Sequence, residues 1–186
     1  MTVTTAKWSL EDYHRMIEIG LLESRHVELL NGEIVNMSPE GPEHAQLSTD
    51  TADYLRELLT HKALVRDAKP ITIPENNSEP EPDLAIVEPN RAIYRTRHPY
   101  PENIFWLIEY ANSSLNKDLD IKRKIYATAG IQEYWVVNLK HHQVKILRQP
   151  ADGDYRSEIT LTEGEISPLA FPEITISVQQ LLKGEC

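Results

Sequence analysis

Three acidic residues of this chain stand where a carboxylate is poorly accommodated, and a lysine follows at a spacing that lets it join them. Glu28 lies in the run HVELL, Asp83 opens DLAIV, and Glu109 lies within IFWLIEY. Strand interiors disfavour Asp and Glu. A buried carboxylate without a partner is costly or takes up a proton. A divalent cation is one compensation, because magnesium takes hard oxygen ligands at the edge of a sheet. Asp118, Lys122 and Tyr126 recur at four-residue spacing after Glu109, so they share one helical face. That face borders the apolar Ile121 and Ile125, which aims Lys122 back towards the sheet. An ammonium there can orient a water nucleophile and offset negative charge developing on a phosphate.

Each of these residues also has a structural reading. Asp83 could pair with an arginine at a strand end. Glu28 could point outward from its hairpin. Lys122 could be a surface lysine whose stem lies on apolar neighbours. Asp118 fits the first turn of a helix, where the dipole favours an acid, and Tyr126 fits a packing role with a polar tip. His44, on an apolar stripe, suits a hydrogen-bonded core position as well as a site. These three are auxiliary candidates, and Glu28, Asp83, Glu109 and Lys122 are the principal ones.

The elements that must position them are legible. Ser9 with Asp12 resembles a capping box, Leu10, Tyr13, Met16 and Ile17 recur at helical spacing, and Gly20 ends that helix. Asn31-Gly32 between two short apolar runs marks a hairpin that carries Glu28. Gly41 and Pro42 open a second helix reaching to about Thr60, with His44, Leu47, Thr51, Leu55 and Leu58 on one stripe. Strands are expected over 63–66, 70–73, 83–87 and 104–110, separated by a Pro-rich loop over 75–82 and an irregular stretch over 90–101. A helix from about Asn116 to Ala129, closed by Gly130, precedes a strand over 133–138. Strand, helix and strand in succession suggest a right-handed parallel crossover. The tail reads as a β-meander over 143–148, 155–161 and 173–177, followed by a short amphipathic segment over 178–182. The expected class is α/β: a central mixed β-sheet flanked by helices, with an N-terminal hairpin and a C-terminal β-meander.

The 186 residues suit one domain with its core at about 9–182, and 40% apolar residues exclude wholesale disorder. The only cysteine is Cys186, so neither an internal disulfide nor a thiolate zinc cluster is expected. No signal peptide or membrane-length apolar run is visible, so a cytoplasmic protein without membrane contact is the simplest expectation. The net charge of −10 argues against tight, non-specific binding to nucleic acid. It fits a protein that needs a cation between itself and a phosphate.

The run Pro82-Asp83, then Glu109, then a lysine resembles the PD-(D/E)xK nuclease superfamily. The fuller pattern comprises VELLNGEIV at 27–35, His44, EPDLAIV at 81–87, IEY at 108–110 and DLDIKRKIYATAGIQEYWVVN at 118–138. It resembles the Uma-type family of restriction-endonuclease-like proteins over nearly the whole chain. The resemblance implies a restriction-endonuclease-like fold. It also implies a Mg²⁺ or Mn²⁺ site made by Asp83 and Glu109, with Glu28 contributing from the hairpin. The superfamily lysine usually stands two residues after the glutamate, where this chain has Ala111, so the resemblance carries that role to Lys122.

The expected function is hydrolysis of phosphodiester bonds in nucleic acid, chiefly DNA, by a metal-dependent endonuclease. The alternative is a non-catalytic binding or assembly module on the same fold. Cutting both strands would suit a homodimer, although no dimer face is legible. A shared ion requires oxygens of Asp83 and Glu109 to approach one point at about 2.0–2.6 Å.

Overall fold

The computed structural model describes residues 5–112 and 117–184. Cys186 and Asn116, the expected start of the third helix, lie outside the described residues. The first helix, α1 (Leu10–Glu18), begins on a full capping box: Ser9 Oγ accepts from the Asp12 N–H, and the Ser9 N–H donates to Asp12 Oδ2. Strands β1 (Val27–Leu30) and β2 (Glu33–Asn36) form a two-stranded antiparallel hairpin. Its turn residues, Asn31 and Gly32, have φ of 49° and 74°, the left-handed region that such a tight turn demands. A Cβ on Gly32 would also meet the Trp8 carbonyl oxygen at 2.9 Å, so glycine is required twice over.

Helix α2 (Pro42–Leu59) starts with proline, whose missing N–H costs nothing in a first turn. The main sheet has six strands: β3 (Leu64–Asp67), β4 (Leu84–Val87), β5 (Ile104–Ala111), β6 (Glu133–Asn138), β7 (Gln143–Ala151) and β8 (Asp154–Leu161). They lie side by side in chain order. Every pairing is antiparallel except β5 with β6, which is parallel. The connection between those two parallel strands includes α3 (Arg123–Thr128). The mixed sheet flanked by helices is therefore as expected.

The strands alternate between two cores. Trp106, Ile108 and Tyr110 of β5 join Trp135 and Val137 of β6 against Leu55 and Leu59 of α2. The opposite face carries Leu107, Ala111, Tyr134 and Val136, packed on Ile125, Tyr126 and Ala127 of α3. Both faces of β5 and β6 are buried, which explains the nearly continuous apolar runs IFWLIEYA and EYWVV. Period-2 alternation then assigns Glu109 to the face covered by α3. No described helix is long and apolar enough to cross a membrane.

Three local expectations are corrected. Residues 70–73 form no ladder strand. Their N–H groups go to loop carbonyls, Ile71 to Pro80, Thr72 to Pro99 and Ile73 to Ser78, with one isolated bridge between Ile73 and Ser78. Pro70, Pro74, Pro80 and Pro82 cannot donate to a ladder, which keeps this stretch off the sheet. The expected third meander strand shrinks to β10 (Ile176–Ser177), which pairs with β9 (Glu165–Ile166) in a separate two-stranded sheet before α4 (Val178–Lys183). The third helix is not uniform: Lys117–Lys122 is a π-helical turn, and the α-helix begins only at Arg123.

Glu133 is a further acid on a buried strand, with no exposure. Its carboxylate is fully engaged. Oε1 accepts from Arg148 Nε at 2.8 Å and Trp135 Nε1 at 2.7 Å, and Oε2 accepts from the Leu169 N–H at 2.7 Å. It ties β6 to β7 and pins the loop after β9. Replacing it strands a guanidinium and an indole N–H. We expect Glu133→Ala to destabilise the fold by about 3 kcal/mol, read as a lower urea midpoint.

Candidate active site

The first residue at the site is Asp83. It lies just before β4 rather than inside it, and it is partly buried. The antiparallel register pairs Leu84 with Ile108, so the next step along each chain sets Asp83 beside Glu109. Asp83 Oδ2 accepts from the Tyr110 N–H at 2.6 Å, which fixes the carboxylate to the end of β5. His44, in the first turn of α2, reaches the same oxygen: Nε2 lies 3.0 Å from Asp83 Oδ2. That contact is not aligned as a hydrogen bond, and the buried Nε2 has no hydrogen-bond partner among the described residues. Burial lowers the proton affinity of this imidazole. Asp83, Glu40 and Asp118 outweigh that effect, and its pKa is raised.

Glu109 sits one strand position before Tyr110 and faces α3. Lys122 Nζ donates to Glu109 Oε1 at 2.8 Å, and the Tyr126 hydroxyl donates to the same oxygen at 3.0 Å. Lys122 Nζ also lies 3.3 Å from Glu28 Oε2. The other oxygen of Glu28 accepts from Lys117 Nζ at 2.8 Å, and the Glu81 N–H donates to Oε2. Glu28, Glu109 and Lys122 are all buried, so this is an ion cluster withdrawn from water. Its charges regulate one another. Burial alone would raise Glu28, but Lys122 and Lys117 hold its pKa below the ordinary value. Burial would lower Lys122, but Glu109, Glu28 and Asp118 keep it firmly protonated. Glu109 is raised well above the carboxylate range: burial dominates, Lys122 opposes it, and Asp118 and Asp83 add to it.

The candidates thus divide into two adjoining groups around a cavity of about 340 Å³. Glu28, Glu109, Lys122 and Tyr126 form the buried ion cluster. The second group holds Asp83, His44 and Glu40, whose potential ligand atoms lie within 4.8 Å of one another. Glu28 and Glu109 stand outside that second group. Asp118 is buried in the cavity wall, and its backbone carbonyl accepts from the Tyr134 hydroxyl at 3.3 Å. Glu40 and Lys117 are absent from the sequence expectations. Glu40 is an exposed acid in a loop, and nothing about its neighbours marks it. Lys117 stands five residues before Lys122, a spacing that puts two side chains on different faces of an α-helix.

The ion cluster has a pH signature. The folded-state pKa of Glu28 lies below its ordinary 4.5. Its contribution is therefore present above that value and lost as pH falls through the folded-state pKa. We expect Glu28→Gln to flatten the acid side of the stability profile, measured as urea midpoints from about pH 7 down to about pH 3. An acid limb as steep as that of the native protein would refute this account of the cluster.

The architecture and the sequence have known counterparts. The fold is similar to the crystal structure of a putative nuclease belonging to DUF820 from Anabaena variabilis, with a TM-score of 0.71 and 14% sequence identity. The similarity covers 93% of this chain and 96% of that one, so the likeness in fold is global. No curated protein matches the chain. A family model, Uma2, described as "Putative restriction endonuclease", matches residues 10–179. These bounds take in the hairpin, the six-stranded sheet and both groups of site residues, and the chain belongs to this Uma2 family.

Proposed function

We propose that the chain is a metal-dependent endonuclease that hydrolyses phosphodiester bonds of nucleic acid, with DNA as its main substrate. The observation that carries this reading is the pairing of Asp83 and His44. The buried His44 Nε2 and Asp83 Oδ2 converge to 3.0 Å without an aligned hydrogen bond, and Glu40 completes a set of three ligand atoms. A divalent cation there would take the place of the imidazole proton, held by carboxylate oxygens and a neutral imidazole nitrogen. Asp83, His44 and Glu40 would hold it. When bound, the cation supplies Lewis-acid polarisation of a phosphoryl oxygen. Mg²⁺ and Mn²⁺ both fit the carboxylates, and the imidazole favours Mn²⁺.

The remaining chemistry belongs to side chains. Glu109, expected as a cation ligand, becomes the proton acceptor in this reading. Among the described residues its two hydrogen bonds both fall on Oε1, so Oε2 would take a proton from an attacking water. Burial raises its affinity for that proton. Lys122 and Tyr126 position Glu109, and Tyr110 positions Asp83 through its backbone N–H. Glu28 in turn holds Lys122.

A non-catalytic binding module is the second reading, favoured by the net charge of −10 and by the engagement of Lys122 with two carboxylates. Plasmid nicking with Mg²⁺ or Mn²⁺ separates the two. The nuclease reading expects nicking that falls more than about a hundredfold in Asp83→Asn. Activity that survives this change rules the mechanism out. Calorimetric titration with Mn²⁺ provides a second measure: we expect binding that weakens in His44→Ala and is lost in Asp83→Asn. A protein that binds neither cation and cuts no substrate would favour the binding module.

A further inference from the structure

We infer that Lys117, not Lys122, is the lysine that contacts a phosphate of the bound nucleic acid; the inference rests on the nuclease reading above. Among the described residues, the cavity wall is lined by six acids and two lysines. An anionic backbone entering it needs a cationic contact from the protein as well as a metal ion. The two lysines differ in what they can reach. The Lys122 side chain is 2% exposed and lies against two carboxylates, Glu109 at 2.8 Å and Glu28 at 3.3 Å. Turning it towards a phosphate would leave Glu109 buried without its cation and Glu28 with Lys117 alone, which is strongly unfavourable. The Lys117 side chain is 20% exposed and, among the described residues, makes one hydrogen bond, to Glu28 Oε1. An ammonium has three N–H donors. Lys117 can keep Glu28 with one and offer the others to a phosphate oxygen.

The π-helical turn explains how both lysines come to share Glu28. Residues five apart diverge in an α-helix but stack in a turn with i→i+5 hydrogen bonds. Lys117–Lys122 is such a turn, and the two ammonium groups grip the two oxygens of one carboxylate. The wide turn therefore delivers a second lysine to the cavity while Lys122 stays buried. Such turns occur often at functional sites.

The test is the salt dependence of binding. A labelled DNA duplex is titrated with the full chain in Ca²⁺, at several salt concentrations, by fluorescence anisotropy. The variants are Lys117→Met, Lys117→Arg and, as an exposed control outside the cavity, Lys140→Met. Losing one phosphate contact should reduce the slope of log affinity against log salt by about 0.9. We expect that reduction in Lys117→Met, the native slope in Lys117→Arg, and the native slope in Lys140→Met. A lysine that served only to hold Glu28 would change stability and leave the slope alone. An unchanged slope in Lys117→Met, in a protein that still binds the duplex, overturns this inference and spares the nuclease reading. If the native chain binds neither duplex nor single-stranded DNA, both fall together.

Discussion

The site depends on one buried ammonium. Lys122 comes from the turn before α3, Glu109 from the central strand and Glu28 from a hairpin outside the main sheet. Three separate pieces of chain meet on a single nitrogen. Charges withdrawn from water are tolerated only when each has its counterpart within hydrogen-bonding reach, so the cluster is satisfied as a whole or not at all. Lys122 therefore sets the geometry of both acids. It also explains why a carboxylate can occupy the middle of IFWLIEYA without disrupting the sheet.

Around this cluster, the sheet supplies precision. Leu84 faces Ile108 across β4 and β5, and this register brings Asp83 to the level of Glu109. The alternation of β5 then sends Glu109 to the α3 side, while the backbone of Tyr110 receives Asp83. The Tyr110 side chain goes to the other face, where its hydroxyl meets Thr51 of α2 at 2.6 Å and donates to the Leu181 carbonyl at 3.0 Å. One residue thus couples the acid at the strand end to the helix that carries His44.

Much of this was legible in the chain itself. Ser9-Asp12, Asn31-Gly32 and Pro42 report local backbone preferences, which need no tertiary context, and each appears as expected. The oddity of acids in apolar runs also marked residues that the fold brings together: Glu28 and Glu109 meet on Lys122, and Asp83 lies beside Glu109. That signal is not selective, however: Glu133 has the same appearance as Glu109 and is fully committed to Arg148, Trp135 and Leu169. What distinguishes the two is their partners across the fold, and sequence spacing carries no record of them. Lys117 gives no such signal, because α periodicity places it on a different face from Lys122 and only the π-helical turn brings the two together. The apolar content of residues 70–73 suggests a strand, while the surrounding prolines remove the ladder donors.

The hairpin has a wider meaning. Glu28 belongs to a two-stranded unit with no ladder to the main sheet, joined nearby through backbone bonds between Leu29 and Glu79. Small hairpins of this kind are marginal on their own and open more readily than a sheet core. Each opening would withdraw Glu28 and expose Lys122 to rearrangement while the six strands stay intact. Competence of the proposed site would then depend on the hairpin staying docked, and not on the six strands alone.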